Sequence, residues 1–274
     1  MATDSGYQVS GNAAENYERF VGVFMIPWAE RLVAAADLHG GARVLDLACG
    51  TGFVARTAAT AVGDRGHVVG VDVNPMMIDV ARTIGGFEVI DAPADATDLD
   101  TASVDVVLCQ QGLQYFPDPA AAVAESARCL RPGGRALFSV WAPFSENPLI
   151  AAQADALEPY LDPDSIASFQ GTNVDSLGGP DGLANLLTTG GFTDVEIRTE
   201  HLSIQLPPMA TYFPNLISAT PWAPTYAELT DHQRETVIEH MERTTTPHHD
   251  APGCTAQMTS VIASGTARCL IQTR

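Results

Sequence analysis

The sequence predicts an α/β protein built on a mostly parallel sheet, and three observations carry that prediction. From about residue 43 to residue 140, short apolar runs that read as buried strands alternate with segments of helical apolar spacing. The first of these strands runs through a turn of small residues straight into a helix. Near the C-terminus, two long alternating segments read as an antiparallel pair.

Taken in chain order, Tyr17, Phe20, Val21, Phe24 and Met25 recur at i, i+3, i+4 spacing and predict a helix that Pro27 interrupts. Val44, Leu45 and Leu47 form the first strand, and Asp46 ends it. Ala48, Gly50 and Gly52 bracket a tight turn, and Phe53, Val54, Ala55, Ala58 and Ala59 begin the next helix. Residues without bulky side chains at such a turn let the backbone approach a ligand, the arrangement of a nucleotide-type site. Val68 to Val73 is a second buried strand with Asp72 near its end. Asp72 falls about twenty positions past the glycines, where a carboxylate can accept hydrogen bonds from ribose hydroxyls; it would also serve as a helix N-cap before Pro75.

A third element ends in Ala94-Asp95-Ala96-Thr97-Asp98-Leu99, a fourth is Val104 to Cys109, and a fifth is Arg135 to Val140, set up by the turn Arg131-Pro132-Gly133-Gly134. Residues 146–162 carry a helical pattern. Residues 163–180, rich in Asp, Ser, Gly and Pro, read as a loop. Leu183, Leu186 and Leu187 mark a helix stopped by Gly190-Gly191. Thr193–Leu206 reads as a long strand, with Gln257–Ile271 as its antiparallel partner. Between them, Pro207–Gly253 is an insertion holding Tyr212, Phe213, Trp222, Tyr226 and several histidines.

Composition narrows the function. Net charge is −19, and all 14 basic residues are arginine. Such acidity disfavours nucleic acid, whose phosphates reward clustered Lys and Arg, and equally disfavours anionic membranes. Absence of lysine removes Schiff-base chemistry and the lysine of phosphate loops. Five widely spaced cysteines without a Cys-x-x-Cys pair suggest neither a disulfide framework nor a zinc site. No apolar run has the length of a membrane span and no signal peptide is evident. The expectations are a cytoplasmic setting, a monomer or homodimer, a small-molecule substrate and no metal.

A Gly-x-Gly turn alone also occurs in dehydrogenases, and Ala55 is a permitted last letter of their G-x-G-x-x-G. Four motifs in order point elsewhere. Asp46-Leu-Ala-Cys-Gly-Thr-Gly52, Asp72, Asp95-Ala96 and Leu130-Arg-Pro-Gly-Gly134 together resemble the class I S-adenosylmethionine (SAM) dependent methyltransferases. The likeness lies in the branch that includes the ubiquinone/menaquinone-biosynthesis type (type 11), from about Tyr17 to Val140. Ala48 stands where that family's first glycine stands. The Asp95-Ala96 pair and the Pro-Gly-Gly turn have no place in the dehydrogenase pattern.

The resemblance implies a Rossmann-like, seven-stranded, mostly parallel sheet with a final antiparallel hairpin and a helical cap. On that plan residues 1–40 are an N-terminal helical lid and 41–145 the SAM-binding core. Residues 146–206 are the rest of the core with a loop insertion, 207–256 a helical substrate cap and 257–274 the final strand. The cofactor is SAM. Its methionine part would lie against Asp46, Ala48, Cys49, Gly50 and Gly52, and Asp72 would take the ribose. Val73 and Met77 would flank the adenine, with Asp95 accepting from its amino group and the Ala96 amide meeting a ring nitrogen. The loop from Cys109 to Tyr115 would border both the sulfonium and the acceptor, with the Cys109 carbonyl meeting the SAM amino group and Gln110 among the cofactor contacts. The helix of Tyr17 would close over the methyl group, with Tyr17 lining the pocket.

Catalytic candidates are Tyr17, Gln114 and His249. Gln114 stands where relatives often carry histidine, and an amide cannot accept a full proton. His248-His249-Asp250 invites a metal reading, but adjacent histidines point in different directions; a solvated lid segment with one possible general base is the better reading. The function expected is methyl transfer from SAM to an aromatic, polyketide or isoprenoid-like acceptor, in specialised or quinone-type metabolism. Alternatives are a SAM-binding protein that catalyses a non-methylating rearrangement and, more weakly, an NAD(P)-dependent oxidoreductase.

Overall fold

The computed structural model describes residues 12–247 and 252–268. The N-terminal helical region is α1 (Ala13–Asn16), a π turn (Tyr17–Val21) and α2 (Gly22–Ala36). Then follow β1 (Arg43–Leu47), α3 (Phe53–Val62), β2 (His67–Asp72), α4 (Pro75–Ile84), β3 (Glu88–Asp91), β4 (Val104–Gln110), α5 (Pro119–Cys129) and β5 (Leu130–Trp141). Next come α6 (Pro148–Leu157), α7 (Pro163–Gln170), α8 (Gly179–Thr189), β6 (Phe192–Leu206), α9 (Met209–Ile217), α10 (Ala223–Glu228), α11 (Asp231–Arg243), the two-residue β7 (Thr246–Pro247) and β8 (Cys254–Ala267).

The sheet order is β3-β2-β1-β4-β5-β8-β6, with β7 added against β8. All contacts from β3 to β5 are parallel, and β8 pairs antiparallel with both β5 and β6. This is the seven-stranded Rossmann-like plan, with β7 as a small addition. Strand order reverses at β1 and β4, and the carboxyl ends on either side of such a switch leave a crevice for a ligand.

Alternation along the strands sends side chains into two cores. Val106, Leu108, Leu137, Trp141 and Ile262 face α2, α3, α6 and the helices α9 to α11. Val107, Cys109, Phe138, Val140 and Val261 face the other core, with Val123, Leu183 and Leu187.

Four sequence expectations need correction. Pro27 lies inside α2 and does not stop it. Trp28, Ala29 and Leu32 are fully buried on that helix, and their packing outweighs one missing backbone bond. The third strand ends at Asp91, so Asp95-Ala96 sits in the loop beyond it. Pro93 has no N–H to continue the ladder. Residues 163–180 are not a loop: they hold α7 and a 3₁₀ turn, Val174–Leu177. The Asp, Asn and Pro residues there act as helix starts. Asp162 accepts from Ser165 N, Asn173 accepts from Asp175 N, and Pro163 takes the first helical position. Finally, β8 begins at Cys254 instead of residue 257. Among the described residues, no helix is long and apolar enough to cross a membrane.

Candidate active site

The carboxyl ends of β1, β2 and β4 are locked to one another by short side chains. Asp72 Oδ2 accepts from Gly50 N at 2.8 Å, and Oδ1 accepts from Asn74 N at 2.8 Å. The N-cap of α4 is Asn74, whose Oδ1 accepts from Met76 N and Met77 N. Asp72 is therefore not the cap. Its carboxylate is held at the turn after β1, where a ribose acid is wanted. Burial pushes its pKa up, and the Asn74, Gly50 and Val73 amides oppose the shift.

Asp46 is buried under the same turn, and its Oδ2 accepts from Ala55 N at 2.9 Å in the first turn of α3. Burial is the main reason its pKa is pushed up to about 8; Ala55 N–H opposes the shift and Asp72 adds to it.

The turn itself needs left-handed backbone. Ala48, Gly50 and Gly52 have φ of 59°, 54° and 98°. Alanine tolerates such a φ only with strain. Space for its methyl group comes from Gly112, after β4: a Cβ there would lie 2.8 Å from the Ala48 Cβ. Gly52 makes room for the Phe87 ring, since a Cβ on Gly52 would sit 2.3 Å from it. The same ring and Cys49 crowd Gly70. Two glycines and the Gly112–Ala48 approach are thus one packing solution that brings three strand ends together.

Over this turn lies the N-terminal region. Tyr17 stands in the π turn, a helical irregularity often found at functional sites. Its ring stacks on Phe53 with centroids 6.0 Å apart. Burial, with Tyr115, Asp72 and Glu18 nearby, pushes the Tyr17 phenol well above its ordinary pKa. Arg56 donates to Thr51 O at 2.6 Å and to Glu18 Oε1 at 2.7 Å, joining the turn to the same segment. Met77 is buried with Ala13 and Ala14. Val73, 48% exposed, is one of few large apolar side chains left open, beside Asp72. Asp95 and Ala96 are exposed. The Ala96 amide expected to meet a ring nitrogen donates instead to Pro93 O at 3.1 Å, within the loop's own turn. That loop is pinned from below: Glu125 Oε1 accepts from both Thr97 N and Thr97 Oγ1.

Beyond β4, Gln110 Nε2 donates to Met25 O in α2 at 3.0 Å. Its Oε1 is buried with no partner among the described residues. Cys109 is fully buried, and burial pushes its thiol up to about 12; the Cys49 thiol is also raised, mainly by burial. Gln114 belongs to a buried amide chain with Gln111, which donates to Ser139 Oγ and Ser260 Oγ. His249 lies outside the described residues.

The structure therefore gathers Tyr17, Asp46, Ala48, Cys49, Gly50, Gly52, Asp72, Val73, Met77, Cys109 and Gln110 around one sheet edge, with Asp95 and Ala96 on the adjoining loop. Sequence reasoning missed Arg56, Phe87 and the Gln111–Ser260 contact. None carries a motif: Arg56 reads as a surface helix residue, and Phe87 and Ser260 read as ordinary neighbours of strands.

A SAM molecule suits this donor set. Asp72 offers a carboxylate at a tight turn, Gly50 and Gly52 offer bare backbone, and Gln110 Oε1, without a partner among the described residues, offers an acceptor for a cationic amino group.

Comparison with known proteins agrees with that geometry. A family model described as a methyltransferase domain matches residues 45–138. The nocamycin O-methyltransferase of Saccharothrix syringae is 32% identical over 200 residues, covering 67% of this chain and 71% of the relative. The aklanonic acid methyltransferase of Streptomyces sp. strain C5 is 31% identical over 147 residues, covering 50% of this chain and 67% of that protein. Among solved structures, the YcgJ protein of Bacillus subtilis superposes with a TM-score of 0.56 at 19% identity, over 89% of this chain and 99% of that one. At that identity it speaks for the fold alone.

Proposed function

The chain belongs to the class I SAM-dependent methyltransferases, in the branch of the ubiquinone/menaquinone-biosynthesis type, and from that premise we propose that it methylates a small aromatic or polyketide-like molecule. The observation that carries the cofactor side of this reading is the bond from Gly50 N to Asp72 Oδ2 at 2.8 Å. It fixes a carboxylate against a left-handed glycine turn, so the ribose site is preorganised before any ligand arrives.

When bound, SAM supplies an activated methyl group on its sulfonium. The protein's own work is alignment. Asp72 would hold the ribose hydroxyls, Gly50 and Gly52 would admit the methionine backbone, and Gln110 Oε1 would accept from the amino group. Tyr17 would close over the methyl and exclude water. Tyr17, Cys49 and Cys109 keep their protons at neutral pH, because burial raises all three. None of them acts as the base, and rate comes from holding the two reactants in line.

Support for the acceptor class comes from the segment between β6 and β8. Its helices pack Trp222 against Phe169 at 4.3 Å and Phe213 against Tyr226 at 5.8 Å, over the sheet face that also carries Trp141. A flat apolar acceptor suits such walls. Two relatives bear the names of methyltransferases acting on nocamycin and aklanonic acid, and the net charge of −19 argues against nucleic acid.

Incubation with SAM and a panel of phenols, amines and prenylated rings, read by mass spectrometry, should give products one CH₂ heavier. Turnover of panel members without mass gain would favour the non-methylating alternative. Binding is checked separately: S-adenosylhomocysteine should raise the melting temperature and NADH should not.

A further inference from the structure

Gln110, Gln111 and Gln114 lie at the end of β4 with only 7–9% of their surface exposed. The direction of each bond in the Gln111–Gln114 chain can be assigned. Ser260 Oγ donates its proton to Val140 O at 2.7 Å, in preference to Ser139 Oγ at 3.4 Å. It therefore meets Gln111 as an acceptor, and Gln111 Nε2 must be the donor, at 3.1 Å; the same nitrogen donates to Ser139 Oγ at 3.1 Å. Gln111 Oε1 is left as an acceptor, and Gln114 Nε2 donates to it at 3.1 Å. Turning the Gln114 amide over would set two carbonyl oxygens face to face.

Gln114 Oε1 is thus fixed as an acceptor by a relay that begins at a backbone carbonyl. It is also buried, with no hydrogen-bond partner among the described residues. A carbonyl oxygen withdrawn from water and left without a donor is destabilising, and such groups call for an explanation. Ser139 and Ser260, by strand alternation, lie on the face of Leu137, Trp141 and Ile262, under α2 and the helices between β6 and β8. That is the side on which the proposed acceptor lies. Gln111 itself stands in left-handed backbone, with φ of +53°, a conformation a non-glycine residue adopts at a cost.

We infer that Gln114 Oε1 recognises a protonated hydroxyl of the methyl acceptor, so that the site prefers a hydroxylated ring to the same ring with that oxygen methylated. This rests on the methyltransferase reading above. The role is recognition: an amide oxygen accepts the hydrogen bond and takes no proton. When the hydroxyl oxygen takes the sulfonium methyl, the O–H bond gives its proton to water and S-adenosylhomocysteine leaves. The ether oxygen then has no proton to offer, so the product loses the contact that held the substrate.

The test uses the full chain saturated with S-adenosylhomocysteine. Ligand-observed NMR titrations compare 2-naphthol with 2-methoxynaphthalene. The wild type should bind 2-naphthol at least about ten-fold more tightly, because the ether leaves the oxygen unpaired. Gln114→Met, similar in size but with no acceptor oxygen, should bring the two affinities within about two-fold of each other. Gln114→His can donate to Gln111 Oε1 from one ring nitrogen and accept at the other, and should keep the preference. Equal binding of both probes by the wild type, binding of neither, or a preference that survives in Gln114→Met overturns the proposal. The wild-type comparison does so without any variant. A melting temperature unmoved by S-adenosylhomocysteine would instead remove the methyltransferase reading itself, a separate and recognisable failure.

Discussion

The turn after β1 and the helices between β6 and β8 cover neighbouring parts of one sheet edge, yet different interactions hold them. At the turn, the decisive contacts are short hydrogen bonds to backbone amides: Asp46 to Ala55, Asp72 to Gly50 and Asn74, and Asn74 to Met76. Their geometry is fixed by left-handed backbone and by glycines that admit Phe87 and Ala48. In α9 to α11 the packing is ring on ring and aliphatic, and its polar links are Tyr212 Oη to Phe20 O at 2.7 Å and Arg234 to the Tyr226 and Ala227 carbonyls among others. Directional bonds tolerate almost no change of residue type, whereas apolar packing tolerates many combinations of similar volume. The first region therefore depends on particular residues, while the second could exchange side chains of similar volume and keep its packing.

Substitutions sharpen or break this contrast. The largest effect is expected for Gly52→Val. Its Cβ would fall 2.3 Å from the Phe87 ring at a φ of 98°, so a loss of about 4 kcal/mol in urea unfolding is expected, partly recovered by Phe87→Ala. Trp222→Ala should cost about 3 kcal/mol of stability while leaving S-adenosylhomocysteine affinity within about two-fold. If it weakens the cofactor as strongly as a change at Asp72 does, the two regions are not separable and the comparison breaks.

Asp72→Ala should weaken S-adenosylhomocysteine about hundred-fold in calorimetry, because a charged acceptor is lost and Gly50 N–H is left unpaired. Retained affinity would sink the ribose assignment.

Asp46 gives the region a pH signature. Its folded pKa of about 8 lies above the unfolded 3.8, so the folded chain holds the extra proton between those values. Stability is then highest below the unfolded pKa and falls as pH rises toward 8, by up to about 1.4 kcal/mol per pH unit. Glu125, pulled down to about 2 chiefly by Arg128, acts oppositely but only below its unfolded 4.5. Urea midpoints from pH 5 to pH 8 should therefore decline, and Asp46→Asn should flatten the decline. The smallest effect is expected for Tyr212→Phe, about 1 kcal/mol, from loss of the bond to Phe20 O.

The cofactor half was legible because its chemistry is local in sequence. Asp46 to Gly52 is one strand and its turn, and Asp72 closes the next strand. Reading failed where one residue type had two uses. Pro163 and Asn173 lie in a stretch that reads as a loop, and they proved to start a helix and a 3₁₀ turn. Pro27 read as a helix stop, but burial of Trp28 and Leu32 carried the helix through it. Ala48 read as a departure from the glycine pattern. Gly112, more than sixty residues on (48 to 112), is what makes it fit.

By itself, the sequence determined the α/β plan and the place of the glycine turn and of Asp72 at the ends of β1 and β2, since strand periodicity and turn chemistry act over a few residues. Only the tertiary structure decided that Asn74 and not Asp72 caps α4, that the Ala96 amide is already engaged, and that Gln114 presents a buried oxygen. Each depends on which polar groups meet after residues such as Gln111 and Ser260, separated by 149 positions, are brought within 3.1 Å. Hydrogen-bond direction is a property of that closed network, and no single segment contains it.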